Sequence, residues 1–200
     1  ALKILNEFKP VYENENIVKI GQNLKYDMNV LALYGIEVKG KLFDTMVAHY
    51  LIQPEMRHNM NVLAETYLGY SPVSIETLIG KKGKDQGSMR DVALEEITEY
   101  AAEDADVTLQ LKEKFIPMLE ETATTQLLNE VELPLIPVLS AMEREGICLD
   151  IQTLKEFSRL LEGDILNIDK EIQTLAGTPF NISSPKQVGD ILFEVLKIAE

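Results

Sequence analysis

Residues Leu94 to Leu119 repeat apolar side chains at spacings of three and four, a pattern satisfied by one long helix laid against a core. At about 3.6 residues per turn, Asp104 falls inside the apolar arc, near the directions of Ile97, Tyr100, Leu111 and Phe115. Glu96, Glu99, Glu103, Asp106, Gln110 and Glu113 draw a separate polar stripe for solvent. A carboxylate on a packing face must be paired, bound to a metal or opened to a cleft, because isolated burial is costly or shifts its pKa. Tyr100 and Asp104 are one helical turn apart, so they share that face. They form either a hydrogen-bonded pair at an interface or two arms of a site that holds a metal and orients a water, and spacing alone leaves both readings open.

Two hundred residues with 46% apolar content suffice for one good core and leave room for a second, smaller element. The single cysteine, Cys148, excludes an internal disulfide and any zinc site built on several cysteines, and is read as a small buried hydrophobe. No apolar run reaches the length of a membrane span and no signal-peptide order opens the chain, so a cytoplasmic protein is expected. The formal charge of −14 argues against a generic electrostatic nucleic-acid binder, so any DNA contact has to be local or metal-assisted. The chain opens in one amphipathic pattern and stops inside another, which predicts a piece of a longer protein.

Alternation organises the first part. A short surface helix over residues 1–14, ending near Pro10 or shortly after it, precedes a buried strand at Ile17–Ile20 closed by Gly21. Leu24 to Tyr34 returns to helical spacing, with Leu24, Met28, Leu31 and Ala32 facing inward and Gly35 as the C-cap. A second strand is expected over Val38–Phe43, and Asp44 or Thr45 caps the helix running to Leu51. Strands alternating with helices predict an α/β layer. Another helix covers Asn61–Leu68, and the lysine- and glycine-rich segment 81–87 is read as a solvated turn.

Pro117 should kink or end the long helix, and the polar stretch 120–126 marks a boundary, dividing the chain into 1–122 and 123–200. Beyond it, Leu128, Val131, Leu135, Val138, Leu139 and Met142 predict a helical stripe that stops at Gly146. Asp150 caps a long helix with a heptad-like seam from Leu154 to Leu175, and Ser184-Pro185 opens a partner helix.

His49 and His58 share no metal-ligand spacing with Cys148 and are assigned to core or surface. Glycine-rich phosphate loops and a Gly-x-Ser-x-Gly turn are absent, which removes support for nucleotide-cofactor and serine-hydrolase classes; no cofactor-binding residue is assigned. Asp27 begins a helix after a strand, where it either favours the helix dipole or belongs to a site.

Gly21-Gln-Asn-Leu-Lys-Tyr-Asp27 and Tyr100-Ala-Ala-Glu-Asp104-Ala-Asp-Val-Thr-Leu-Gln110 resemble the second and third exonuclease motifs of the bacterial DNA polymerase I family, whose proofreading domain has a ribonuclease H-like fold. The resemblance continues through Phe43-Asp-Thr-Met46, Glu132-Leu-Pro-Leu-Ile-Pro-Val-Leu139, Glu143-Arg-Glu-Gly146 and Phe180-Asn-Ile-Ser-Ser-Pro-Lys-Gln187, covering nearly the whole chain in order. It implies 3′→5′ removal of mismatched nucleotides with two divalent ions, Mg²⁺ or Mn²⁺. By matching position, Asp27 and Asp104 are implied as metal ligands and Tyr100 as the residue that orients the attacking water, these three forming the catalytic set. Gln22, Asn23, Tyr26 and Arg57 match positions that hold a single-stranded 3′ end.

The family's first motif, Asp-x-Glu on the opening strand, is missing, since the only such triplet here is Asp169-Lys-Glu171 in a late helix. The expected architecture is therefore an α/β fold: a truncated ribonuclease H-like exonuclease domain at 1–122, then an all-α segment at 123–200 opening the polymerase domain and its thumb. The parent is expected to be a DNA polymerase with proofreading, acting in replication and repair and binding duplex DNA at the thumb. The piece alone is expected to be inactive, with self-association through its uncovered sheet edge. The alternative is a catalytically degenerate exonuclease-like domain kept as a structural or DNA-binding scaffold.

Overall fold

The structure, a computed structural model, describes residues 2–198. They form two compact units divided between Gly146 and Ile147. The first begins with helix α1 (Leu2–Tyr12) and a β-α-β unit made of β1 (Lys19–Gly21), α2 (Leu24–Ala32) and β2 (Leu42–Asp44). The two strands are parallel, pairing Lys19 with Leu42, Ile20 with Phe43 and Gly21 with Asp44. Next come α3 (Thr45–Ile52), α4 (Met60–Leu68), the short α5 (Ile75–Ile79), the long α6 (Leu94–Glu121), α7 (Thr125–Leu127) and α8 (Leu133–Glu145). The mixed α/β class is as expected from the alternation.

Parallel register explains the most consequential bond set in the unit. With Gly21 opposite Asp44, both strands end side by side, so the helices that follow them start at the same point. Asp44 serves both starts. Its carboxylate accepts from the Met46 and Val47 amides of α3 at 2.9 and 3.2 Å, and from the Asn23 and Leu24 amides of α2 at 3.2 and 2.7 Å. Asn23, at the start of α2, makes no side-chain cap of its own. Buried to 2% exposure, the Asp44 side chain is compensated by these amides and by two positive helix ends.

Helix α6 supplies the wall on which the rest packs. Val107, Leu111, Phe115 and Leu119 are buried with Met28, Phe43, Ala48, Leu63 and Ala64 in one core. Pro117 does not end the helix, which runs on to Glu121 with that residue inside it. His49 of α3 is wholly enclosed in this core. Its Nδ1 lies 2.7 Å from His58 Nδ1 and its Nε2 lies 2.9 Å from the Tyr67 hydroxyl, while Phe115 packs against its ring. Each of His49 and His58 sits in core or near surface as read from sequence, but they form a pair that their nine-residue separation did not suggest.

Several expectations need correction. The first strand is shorter and later than 17–20, and Ile17 and Val18 are exposed. The stripe expected after residue 127 is displaced: of its members only Leu128 is buried, and the inward residues are Leu133, Ile136 and Ser140. A π turn at Leu128–Glu132 causes this, adding a residue ahead of Pro134, whose missing N–H interrupts the helical ladder. The first compact unit runs to Gly146 because α8 packs on α2, a matter of contact and not of the 1–122 and 123–200 division: the Ser140 hydroxyl donates to Asn29 Oδ1 at 2.7 Å, and Glu143 pairs with Lys25 and Asn29.

In the second unit, α9 (Ile151–Ala176) starts under an Asp150 cap, which accepts from Thr153 N at 3.0 Å, and ends at Gly177. Ser184 caps α10 (Pro185–Gly189) as expected. Leu154, Phe157, Leu161, Ile165, Ile168 and Leu175 of the α9 seam are exposed. Cys148 is exposed rather than buried, because it lies in an extended link whose neighbours Ile147 and Leu149 are open too. Among the described residues no helix is long and apolar enough to cross a membrane.

Two stability effects follow. Removing the double cap with Asp44→Ala is expected to cost roughly 2–4 kcal/mol, about twice a single cap, in urea unfolding followed by far-ultraviolet circular dichroism. A loss under about 0.5 kcal/mol, the level of an ordinary surface change, would contradict the double cap. His49 supplies a pH signature: burial first, and the charge of His58 second, hold its imidazole down to about 4. The folded state then refuses a proton that the unfolded chain takes near its ordinary 6.5. Stability is therefore complete above that value and lost as pH falls towards 4, by on the order of 2 kcal/mol between pH 7 and pH 5. The same two-pH comparison on His49→Phe should show that loss shrink; an unchanged loss would assign it elsewhere.

Candidate functional site

The turn from β1 into α2 is shaped by its first residue. A Cβ on Gly21 would lie 2.3 Å from Leu24 Cδ2 and 2.8 Å from its Cγ, and Leu24 is buried. Glycine is what lets the chain turn tightly over that side chain. Asn23 follows at φ 65°, ψ 49°, a left-handed conformation that asparagine tolerates better than most residues. Because Leu24, Met28 and Leu31 face the core, α2 presents Tyr26 and Asp27 outward, and Tyr26 is 65% exposed.

The sequence-predicted strand-holding residues divide into two kinds. Asn23, Tyr26 and Arg57 are exposed. Gln22 is committed at both ends of its amide: Nε2 donates to the His58 carbonyl at 2.6 Å, and the Thr45 hydroxyl donates to Oε1. It acts as a brace between α2, α3 and the turn leading into α4. That brace holds the carbonyl of His58, the residue after Arg57, against the residue two before the start of α2.

Asp27 is open to solvent, yet the protein around it, and then the Asp44 charge, raise its pKa. Water reaches the carboxylate and screens that charge. Asp104 is half-buried on the same side of α6 as Thr108, Leu111 and Phe115, where the apolar arc placed it. Desolvation raises its pKa; the Tyr100 hydroxyl opposes this and the Glu103 charge adds to it. Tyr100 is raised in turn, by desolvation first and by Asp104 next. No ion pair formed by the described residues involves Asp27 or Asp104.

Carboxylates of raised pKa with no ion-pair partner fit a divalent cation, whose charge would favour their ionised forms against the desolvation and the neighbouring negative charge. They are not a closed ligand set. The charge acting on Asp27 is Asp44 and that acting on Asp104 is Glu103, and among the described residues no group of three His, Cys, Asp or Glu gathers to hold a metal.

Two residues of this region have partners that local sequence pattern does not show. Asp44 was visible as a cap of α3, but its hold on α2 depends on strand register. Glu103, assigned to the solvent stripe, accepts from the Tyr70 hydroxyl and from the Val73 amide at 2.8 Å, tying segment 70–73 beside Asp104. No local signal in the sequence marks that contact.

Sequence and fold comparisons with known proteins agree. A family model described as 3′–5′ exonuclease matches residues 1–120. DNA polymerase I of Pseudomonas aeruginosa is 39% identical over 197 residues, 96% of this chain and 22% of that protein. DNA polymerase I of Rhizobium leguminosarum is 41% identical over 190 residues, 94% of this chain and 18% of that protein. The chain thus spans about a fifth of the length of these relatives. A solved structure, the POL domain of Pol1 from M. smegmatis in complex with DNA primer-template and dNTP, superposes with a TM-score of 0.79 at 23% identity, covering 96% of this chain and 30% of that one. At that identity the likeness establishes the fold.

Proposed function

The chain belongs to the 3′–5′ exonuclease family, and from that premise we propose that it carries the strand-holding face and two metal ligands of a proofreading nuclease. The observation that carries this reading is the pair of uncompensated carboxylates, Asp27 at the ends of the parallel strands and Asp104 on the packing arc of α6. Residues 1–122 are read as the exonuclease domain and 123–200 as the opening of a polymerase domain and thumb; the family match over residues 1–120 supports that division. The parent is read as a DNA polymerase I of the cytoplasm, active in replication and repair, with duplex DNA at its thumb.

In this site Asp27 and Asp104 would hold Mg²⁺ or Mn²⁺, two ions in the complete domain. The bound ions supply positive charge for the scissile phosphate and a hydroxide nucleophile near neutral pH. Tyr100, one turn before Asp104, orients the attacking water through its hydroxyl. Arg57 gives a planar pair of donors suited to phosphate, and the open ring of Tyr26 offers a face on which a base stacks. Gln22 contributes by bracing that surface, and Asn23 by exposing its side chain at the left-handed turn.

β1 reads Lys-Ile-Gly and carries no Asp-x-Glu, so this chain by itself is expected to hold metal weakly and to show no nuclease turnover. The scaffold reading draws on the absence of a three-ligand cluster among the described residues. Manganese titration followed by electron paramagnetic resonance separates the two. Asp27→Ala and Asp104→Ala should each weaken binding by on the order of tenfold, with the fold checked by circular dichroism. Equal affinity in Asp104→Ala would remove its metal role and leave the scaffold reading standing.

A further inference from the structure

Within the reading of Arg57 as a contact to the strand, we infer that His58 is a positioning residue, held by the buried His49, that presents Arg57 to a single-stranded nucleic acid. The turn between α3 and α4 has little to hold it locally: Pro54, Glu55 and Arg57 are exposed, and inside it Met56 N reaches Gln53 O at 3.2 Å. His58 fixes it from three directions. Its ring nitrogen meets His49 Nδ1 at 2.7 Å, its ring stands edge-on to those of His49 and Tyr50 at 4.9 and 5.5 Å, and its carbonyl accepts from Gln22 Nε2 at 2.6 Å.

His49 transmits that hold inward, since its Nε2 is bonded to Tyr67 of α4 and its ring packs on Phe115 of α6. On the other side, Asn59 accepts from Val62 N at 3.0 Å and starts α4. Arg57 is thus the last free residue before an anchored segment. A fully enclosed imidazole is a costly way to fill a core, because its two nitrogens must both find partners. An apolar residue would serve packing alone. What the pair adds is direction: one proton between the two Nδ1 atoms fixes both ring planes, and with them the backbone that leads to Arg57.

The test is a double-mutant cycle on the 200-residue chain, read by fluorescence anisotropy with a fluorescein-labelled tetrathymidylate in Mg²⁺. Arg57→Ala is expected to weaken binding by roughly tenfold, the scale of one charge-assisted contact. His58→Ala should cause most of the same loss, add little in the Arg57→Ala background, and remain additive with Tyr26→Ala, which lies on another element. His58→Asn, whose amide can replace the Nδ1 contact, should restore most of the affinity. Tyr67→Phe, which removes only the hydroxyl at the far end, gives a second approach if His58→Ala does not fold, and its loss should likewise vanish without Arg57. Additive losses, or full affinity in a folded His58→Ala or Tyr67→Phe, would overturn the positioning role alone. Full affinity in Arg57→Ala would overturn the single-strand reading of the site as well.

Discussion

One buried carboxylate holds the candidate site in place. Asp44 receives amide protons from the first turns of two helices, which would otherwise expose or bury unpaired donors at the point where both strands end. Parallel pairing makes this possible by bringing Gly21 and Asp44 into register. Open α/β sheets place ligands at the carboxyl ends of their strands for the same geometric reason. Here Asp44 is used to build the end of the sheet, and its charge bears on Asp27 nearby.

The second half of the site rests on α6. Its inward residues fill the core and bring Tyr100 and Asp104 to the border of that packing, where a carboxylate is neither fully hydrated nor paired with a cation. Glu103 and Asp44 each add negative charge beside a candidate ligand. Together with desolvation, that charge raises the pKa of both carboxylates, and perturbed acids of this kind gather where a fold keeps charge for binding.

Much of this was legible in the sequence because it depends on local pattern. Three-four spacing gave α6 and the inward face of α2, and Asp150 and Ser184 announced helix starts that the structure has, whereas α2 ends at Ala32 with Leu33 rather than Gly35 as its C-cap. The odd direction of Asp104 follows from the same spacing, since helical period alone turns it toward the apolar arc. What escaped depends on contacts between distant segments: the second cap of Asp44, the pairing of His49 with His58 through an intervening turn, and the Glu103 tie to segment 70–73. The buried face of residues 128–140 escaped for another reason, since a π turn ahead of Pro134 breaks the period on which the expectation relied. Exposure of Cys148 shows the limit of residue-type averages where a link has no core beside it.

Amide hydrogen exchange at Leu24, Met46 and Val47, residue by residue, tests the double cap most directly. All three donate to Asp44, so the account expects protection approaching that of the Leu111 and Phe115 amides in α6, and its joint collapse in Asp44→Ala, which removes both acceptor oxygens. Leu24 exchanging as fast as an exposed helix start, or keeping its protection when Asp44 is replaced, would contradict a single carboxylate holding both helices.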